Sequence, residues 1–410
     1  MHGEFRAGWR PLLGAMVGAG CGLTSVVFYT HGVFAVPITA ATGWQRGEVQ
    51  FAFTLMSLMA IVTAPAVGWL IDRVGARRVA LWSLVTFFIG FSLLSLTGAS
   101  LVGYYGAFVV MAVLGAGTLP VTWTSVVNQW FHANRGFALG IALTGTGIAA
   151  TLAPAYAGWL IATFGWQTAY FYLAATVTLI ALPVVALLFR SPSAQAQAAV
   201  AVSTGATGTL DSGFSLGEAL RNYRLWVLCL GVFLVAGSVA GMITSFVAQL
   251  TDRGFSLAEA AGFASLIGVS VIVGRLFAGL LVDRIWAPLV AAVLLACPAA
   301  AALALDMITL TPAVVTLCAV LIGLAAGAEL DLMAFLSSRY FGLRRYASIY
   351  GITFVFFSVA AGLAPATFGM VYDAAGSYSL ALRSAAVACA VGALAMLTLG
   401  PYPDFSKQQD

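Results

Sequence analysis

Twelve apolar stretches of helical length, punctuated by Gly, Pro and charge, constrain this chain more than any other feature. They fall near 12–38, 48–71, 78–98, 101–128, 136–161, 166–189, 224–250, 258–282, 287–306, 311–336, 347–371 and 377–399. A run of ~20 apolar residues crosses a ~30 Å hydrocarbon core, and a lone segment satisfies its backbone groups there only as a helix. The runs therefore predict an all-α integral membrane protein with twelve transmembrane helices. With 61% hydrophobic and 8% charged residues, the chain has too little polar surface for a soluble globule. The first run lacks a small-residue cleavage site and reads as a retained helix, not a signal peptide.

An even number of spans puts both termini on one side, and the basic residues choose it. Of the 18 Lys and Arg, only Arg46, Arg253 and Arg383 fall at one set of helix ends. Arg275 lies within a span, and the rest, among them Arg6, Arg10, Arg135, Arg190, Arg339, Arg344, Arg345 and Lys407, fall at the opposite ends. The positive-inside rule makes that side cytoplasmic, for both termini, in a multi-pass protein of the plasma or inner membrane. The net charge of +4 is thus a topology signal, with no indication of nucleic acid as a partner.

The stretch from Ser191 to Asn222, rich in Ala, Ser, Thr, Gly and Gln, reads as a polar cytoplasmic linker. It divides the chain into six-helix bundles at 1–190 and 223–410, with 191–222 between them. The halves match at one spacing: Gly43 and Gly254, Glu48 and Glu259, Gly68 and Gly279, Asp72 and Asp283, Gly140 and Gly351, and Pro154 and Pro365 are each 211 apart, as in 254 − 43. An even number of spans per copy gives both copies the same orientation, so the repeat is parallel about an axis along the membrane normal.

Arg275 is the basic residue placed deep in a span. A cation at the bilayer centre costs about 3 kcal/mol on insertion scales, so it faces a protein interior or an aqueous cavity. Its guanidinium suits a carboxylate from a ligand or from a side chain such as Glu329 or Asp331 equally well. Its repeat counterpart, 275 − 211, is Ala64, so the charge is no part of the shared scaffold. Glu329 and Asp331 lie inside the tenth span, where a carboxyl group serves either proton coupling or helix-to-helix hydrogen bonding. His31 lies within the first span, where it can contact a carboxylate, carry a proton, or be satisfied by a neighbouring helix. Tyr29 and Thr24 share that helix. His132, after the fourth span, reads as a surface residue.

Between the second and third spans, Gly68-Trp-Leu-Ile-Asp72-Arg73-Val-Gly75-Ala-Arg77-Arg78 resembles the signature loop of the major facilitator superfamily, echoed at Gly279-Leu-Leu-Val-Asp283-Arg284. The resemblance implies a fold of two pseudo-symmetric six-helix bundles, with Asp72, Arg73, Arg77, Arg78, Asp283 and Arg284 as a conformational latch; the alternative is a basic loop that only sets topology. Gly43-Trp-Gln-Arg46-Gly-Glu48 and the segment Gly327 to Arg344 resemble the monocarboxylate transporter and oxalate:formate antiporter branch. In that branch an arginine on the eighth helix holds the substrate carboxylate, and Arg275 occupies the matching place. Two departures stand out. Val271 replaces the acid usual one turn earlier in the animal carriers, and Thr353-Phe354-Val355-Phe356-Phe357-Ser358 lacks the second base of the oxalate:formate exchangers.

These residues set the expectation of a secondary transporter for small monocarboxylates such as lactate or pyruvate, coupled to protons, working as a monomer by alternating access. Phe354, Phe357 and Ser358 are candidates for the pocket wall, with simple packing as the alternative. Organic-anion exchange of the oxalate/formate kind is the second reading. An intramembrane enzyme or a sensor is less well supported, since no HExxH, GxSxG or phosphate-loop motif is present. No cofactor or metal is implied. The five cysteines lie in apolar runs without metal-ligand spacing and read as packing residues.

Overall fold

The computed structural model describes residues 2–131, 135–191, 213–282, 284–342 and 346–403. Fifteen α-helices form among them: α1 (His2–Gly20), α2 (Leu23–Thr42), α3 (Arg46–Val74), α4 (Ala76–Ser92), α5 (Leu101–Leu114), α6 (Pro120–Trp130), α7 (Arg135–Phe164), α8 (Trp166–Leu188), α9 (Leu216–Arg221), α10 (Tyr223–Thr251), α11 (Leu257–Val282), α12 (Ala287–Met307), α13 (Pro312–Phe341), α14 (Tyr346–Ala375) and α15 (Ser379–Leu397). Among the described residues, eleven segments are long and apolar enough to cross a membrane, and α5 adds a shorter apolar helix. Outward faces carry large apolar side chains such as Val102, Leu152 and Leu179, which suits contact with lipid tails.

The chain forms two compact units, residues Met1–Thr204 with Thr244–Gly268, and residues Gly205–Ile243 with Val269–Asp410. In the first, α1 packs on α6, α7 and α8, and α3 and α4 pack on α5. Its core centres on Trp123, whose ring lies 5.1 Å from that of Phe189. In the second, α12 lies between α13 and α15, and α14 packs on α13.

Two spans expected to be continuous are broken. The first parts at Cys21–Gly22 between α1 and α2, and the fourth parts between α5 and α6 through a short 3₁₀ turn, Ala116–Thr118. Each break frees backbone groups that lipid cannot satisfy, and the two breaks satisfy one another. The Leu23 N–H donates to Thr118 Oγ1 at 3.0 Å, and Thr118 Oγ1 donates to the Gly115 carbonyl at 2.7 Å. Trp123 Nε1 donates to the Thr118 carbonyl at 2.9 Å. Backbone proximity comes from glycine: a Cβ on Gly20 would lie 2.5 Å from the Gly145 carbonyl oxygen of α7. Residues 192–212 lie outside the described set, but Ser215 and Glu218 form a capping box that starts α9.

The 211-residue repeat reappears in the helix boundaries. Helices α3, α4 and α5 begin at 46, 76 and 101; adding 211 gives 257, 287 and 312, the starts of α11, α12 and α13. The matching glutamates have one local cause. Glu48 accepts from the Gln45 N–H at 2.8 Å and Glu259 from the Ser256 N–H at 2.9 Å, so each closes a capping box at a repeat-related helix start. Preceding each is a glycine at positive φ, Gly43 at 73° and Gly254 at 93°.

Where the copies differ is equally informative. The fourth-span break at 115–119 maps by 211 onto 326–330, and there α13 runs unbroken. Thr118 corresponds to Glu329 (118 + 211) and Pro120 to Asp331 (120 + 211). The second copy thus holds two carboxylates where the first holds a helix break.

Candidate functional site

Arg275 and Asp331 meet where α11 and α13 cross. The crossing is tight enough to exclude side chains: a Cβ on Gly274 would overlap the Leu324 backbone, and one on Gly327 would overlap the Val271 carbonyl and lie 3.0 Å from the Arg275 amide nitrogen. Glycine at both positions lets the backbones touch, and the residues beside them inherit the crossing's geometry. Arg275 follows Gly274 directly, and Asp331 lies four residues, about one turn, after Gly327.

Arg275 is 7% exposed, and its Nε lies 3.6 Å from Asp331 Oδ2. At that separation the charges attract without a hydrogen bond. Arg275 Nη1 is buried with no acceptor. Asp331, at 34% exposure, keeps contact with the surroundings. The result is a buried cation whose donor set is incompletely used, a state costly enough in a poorly hydrated interior to call for a further acceptor. Glu329, two residues earlier, is buried near Cys389 of α15, and its Oε1 has no partner.

On α14, Phe354 stacks between Tyr350 and Phe357, with ring centroids 6.2 and 5.8 Å away. Phe354 is exposed and Phe357 and Ser358 are half-buried, so this aromatic ladder forms an accessible face. His31 and Tyr29 lie on α2 in the first unit. His31 is buried between the rings of Phe53 and Phe108, with Gln50 nearby, and neither ring nitrogen has a hydrogen bond of ordinary geometry. Tyr29 is half-buried against Phe28, and Thr24 is exposed.

The basic loop is built locally. Arg77 donates to the Ala186 carbonyl at 2.6 Å, satisfying the C-terminal turn of α8. Arg73 lies over the Trp69 ring, 4.0 Å from its centroid, and Arg78 and Arg284 are exposed. Asp283, His132, Arg344, Arg345 and Lys407 lie outside the described residues, as does the side chain of Asp72.

Sequence reasoning passed over one pair. Arg46 at the start of α3 and Asp252 beyond the end of α10 form a two-point ion pair within the first unit, with contacts of 2.5 and 2.6 Å. A second contact accompanies it, Gln50 Nε2 donating to the Thr244 carbonyl at 3.2 Å. The available signal was the repeat: 46 + 211 is Leu257 and 252 − 211 is Ala41, so neither charge belongs to the shared scaffold.

A match to the Major Facilitator Superfamily covers residues 17–365. The chain belongs to this superfamily. It is accordingly a multi-pass membrane transporter, in agreement with its apolar helices and its two-copy architecture. Its relatives include the oxalate:formate antiporter of Oxalobacter formigenes, 26% identical over 249 residues, which are 61% of this chain and 56% of that protein. Monocarboxylate transporter 13 of Rattus norvegicus is 25% identical over 398 residues, covering 96% of this chain and 89% of the relative. Monocarboxylate transporter 11 of Homo sapiens is 26% identical over 331 residues, covering 77% and 67%. The chain spans only about half the length of the antiporter it matches.

Proposed function

We propose that this transporter moves a small monocarboxylate of the lactate or pyruvate kind together with a proton, by alternating access, across the plasma or inner membrane with both termini cytoplasmic. The observation that carries the reading is Arg275: a buried guanidinium with an unused Nη1, absent from the repeat scaffold. A carboxylate supplies the two acceptor oxygens that such a group lacks. The accessible Phe354 and Phe357 face offers the apolar wall that a short alkyl chain requires. Names of two relatives, the monocarboxylate transporters 11 and 13, support the same substrate class. Repeat copies at 1–190 and 223–410 serve as the moving bundles of a functional monomer, with the basic loop residues Arg73, Arg77, Arg78 and Arg284, and Asp72 and Asp283, as the latch.

Proton coupling follows from charge balance. A carboxylate that travels with a proton moves no net charge against the membrane potential. Candidate carriers are Glu329, Asp331 and His31. Reconstituted vesicles test the reading: an imposed inward proton gradient should accumulate labelled lactate above equilibrium in the wild type and fail to do so in Arg275→Ala. Uptake indifferent to the gradient would contradict coupling.

The relative named as an oxalate:formate antiporter favours a second reading, exchange of organic anions. Internal lactate or formate should then accelerate uptake of external anion even without a proton gradient. The helix carrying Thr353 to Ser358 has no base in that segment, which favours one carboxylate over a dianion.

A further inference from the structure

Asp331 is the acidic residue that faces Arg275, and the pairing is loose. Nε and Oδ2 are 3.6 Å apart, Nη1 is unpartnered, and Asp331 is far more exposed than the arginine it neighbours, 34% against 7%. One turn before Arg275 stands Val271, whose carbonyl abuts Gly327, so no acid on α11 itself fills that place. Both charges are additions to the repeat scaffold, standing where the first copy has Ala64 and Pro120.

We infer that Asp331 is the exchangeable counter-ion of Arg275: a substrate carboxylate takes over the guanidinium, and Asp331 takes up one proton from water as it is released. This assignment rests on Arg275 being the substrate site. In the ligand-free site the guanidinium and the Asp331 carboxylate sum to zero charge. Adding a substrate anion alone would leave one uncompensated negative charge in a poorly hydrated interior, which is strongly disfavoured. Forming an O–H bond on Asp331 restores neutrality, and no other bond changes. The proton enters with the anion and leaves with it, when Asp331 returns to Arg275.

Geometry selects Asp331 over the other acid of α13. Glu329 is 5% exposed and lies toward Cys389 of α15, whereas Asp331 lies against the guanidinium and is the more exposed of the two acids, at 34%. Arg275 is the charged group that acts on Asp331 from α11. Asp331 is therefore a positioning and coupling residue, acting on the substrate through Arg275.

Calorimetric titration of the purified full chain with lactate, in two buffers of different ionisation enthalpy, counts the protons taken up. The wild type should take up one proton per lactate, and its apparent Kd should rise about tenfold per pH unit on the alkaline side, as one-proton linkage requires. Asp331→Asn should bind lactate with no proton uptake and an almost flat pH profile, while Glu329→Gln keeps the wild-type proton count. Asp331→Ser should reproduce the Asp331→Asn result should the first variant fail to fold. Proton uptake that persists in either Asp331 variant, that vanishes in Glu329→Gln, or that is missing in the wild type overturns the assignment. Arg275→Ala separates the two levels: lactate binding at wild-type strength in that variant overturns the site itself, whereas lost binding there, with proton uptake intact in Asp331→Asn, overturns only the role of Asp331.

Discussion

Arg46 and Asp252 are 206 residues apart in the chain and joined by a two-point ion pair, Nη2 to Oδ1 at 2.5 Å and Nη1 to Oδ2 at 2.6 Å. The fork engages both terminal nitrogens of the arginine, unlike the loose engagement of Arg275 with Asp331. Around it, the end of α10 and the start of α11 lie close against first-copy helices: a Cβ on Gly32 of α2 would overlap the Thr244 carbonyl, and one on Gly158 of α7 would lie 3.0 Å from Ala261 Cβ. The ion pair is thus a specific clasp on a surface also held by the Gln50 hydrogen bond to the Thr244 carbonyl and by close packing at Gly32 and Gly158.

Breaking that clasp should loosen the segment 244–268. A double-mutant cycle with Arg46→Gln and Asp252→Asn, read by thermal unfolding in detergent, should return a coupling of about 1 kcal/mol, as for a well-formed pair at a partly hydrated site. The reversed pair, Arg46→Asp with Asp252→Arg, should recover part of the lost stability. Additive single-variant effects would show that the pair contributes nothing specific.

Gly327→Ala should be among the most disruptive small substitutions in the second unit, because its Cβ would meet the Val271 carbonyl and the Arg275 amide nitrogen. Separating α11 from α13 should lower stability by about 1–3 kcal/mol, typical of overpacking, and displace Arg275 from Asp331. Gly279→Ala is the internal control, since nothing lies within 4 Å of its added Cβ. Thermal melts and lactate titrations of both variants check the contrast.

Thr118→Val keeps shape and removes the hydroxyl that accepts from the Leu23 N–H across the paired helix breaks. Leaving that amide unsatisfied in an apolar interior should cost about 1–2 kcal/mol, while Thr118→Ser should restore most of it. Equal melting of the Val and Ser variants would remove this explanation of the breaks.

The spans and their register were legible because apolar length and the 211-residue spacing are properties of the chain itself. Helix starts at 46 and 257, and at 101 and 312, carry that spacing into three dimensions. The breaks were hidden because hydrophobicity runs continuously through Cys21–Gly22 and Gly115–Leu119; what stabilises them is a hydrogen bond between residues 95 positions apart. Arg275 announced itself by the cost of a deep charge. Which carboxylate faces it depends on the rotation of α13 about its axis, set by the Gly274 and Gly327 contacts, and spacing alone does not encode that rotation. Arg46 and Asp252 sit at helix ends, where charge ordinarily reports topology, and so escaped notice.

Lactate binding to purified Arg275→Ala, measured beside the wild type and Arg275→Lys, tests the central claim most directly. Two hydrogen bonds to a charged group are each worth roughly 1.5–3 kcal/mol, so the wild type should bind saturably, Arg275→Lys about tenfold or more weakly for want of a planar fork, and Arg275→Ala at least about a hundredfold more weakly, with all three melting as folded protein. Wild-type affinity in a folded Arg275→Ala protein would contradict the account.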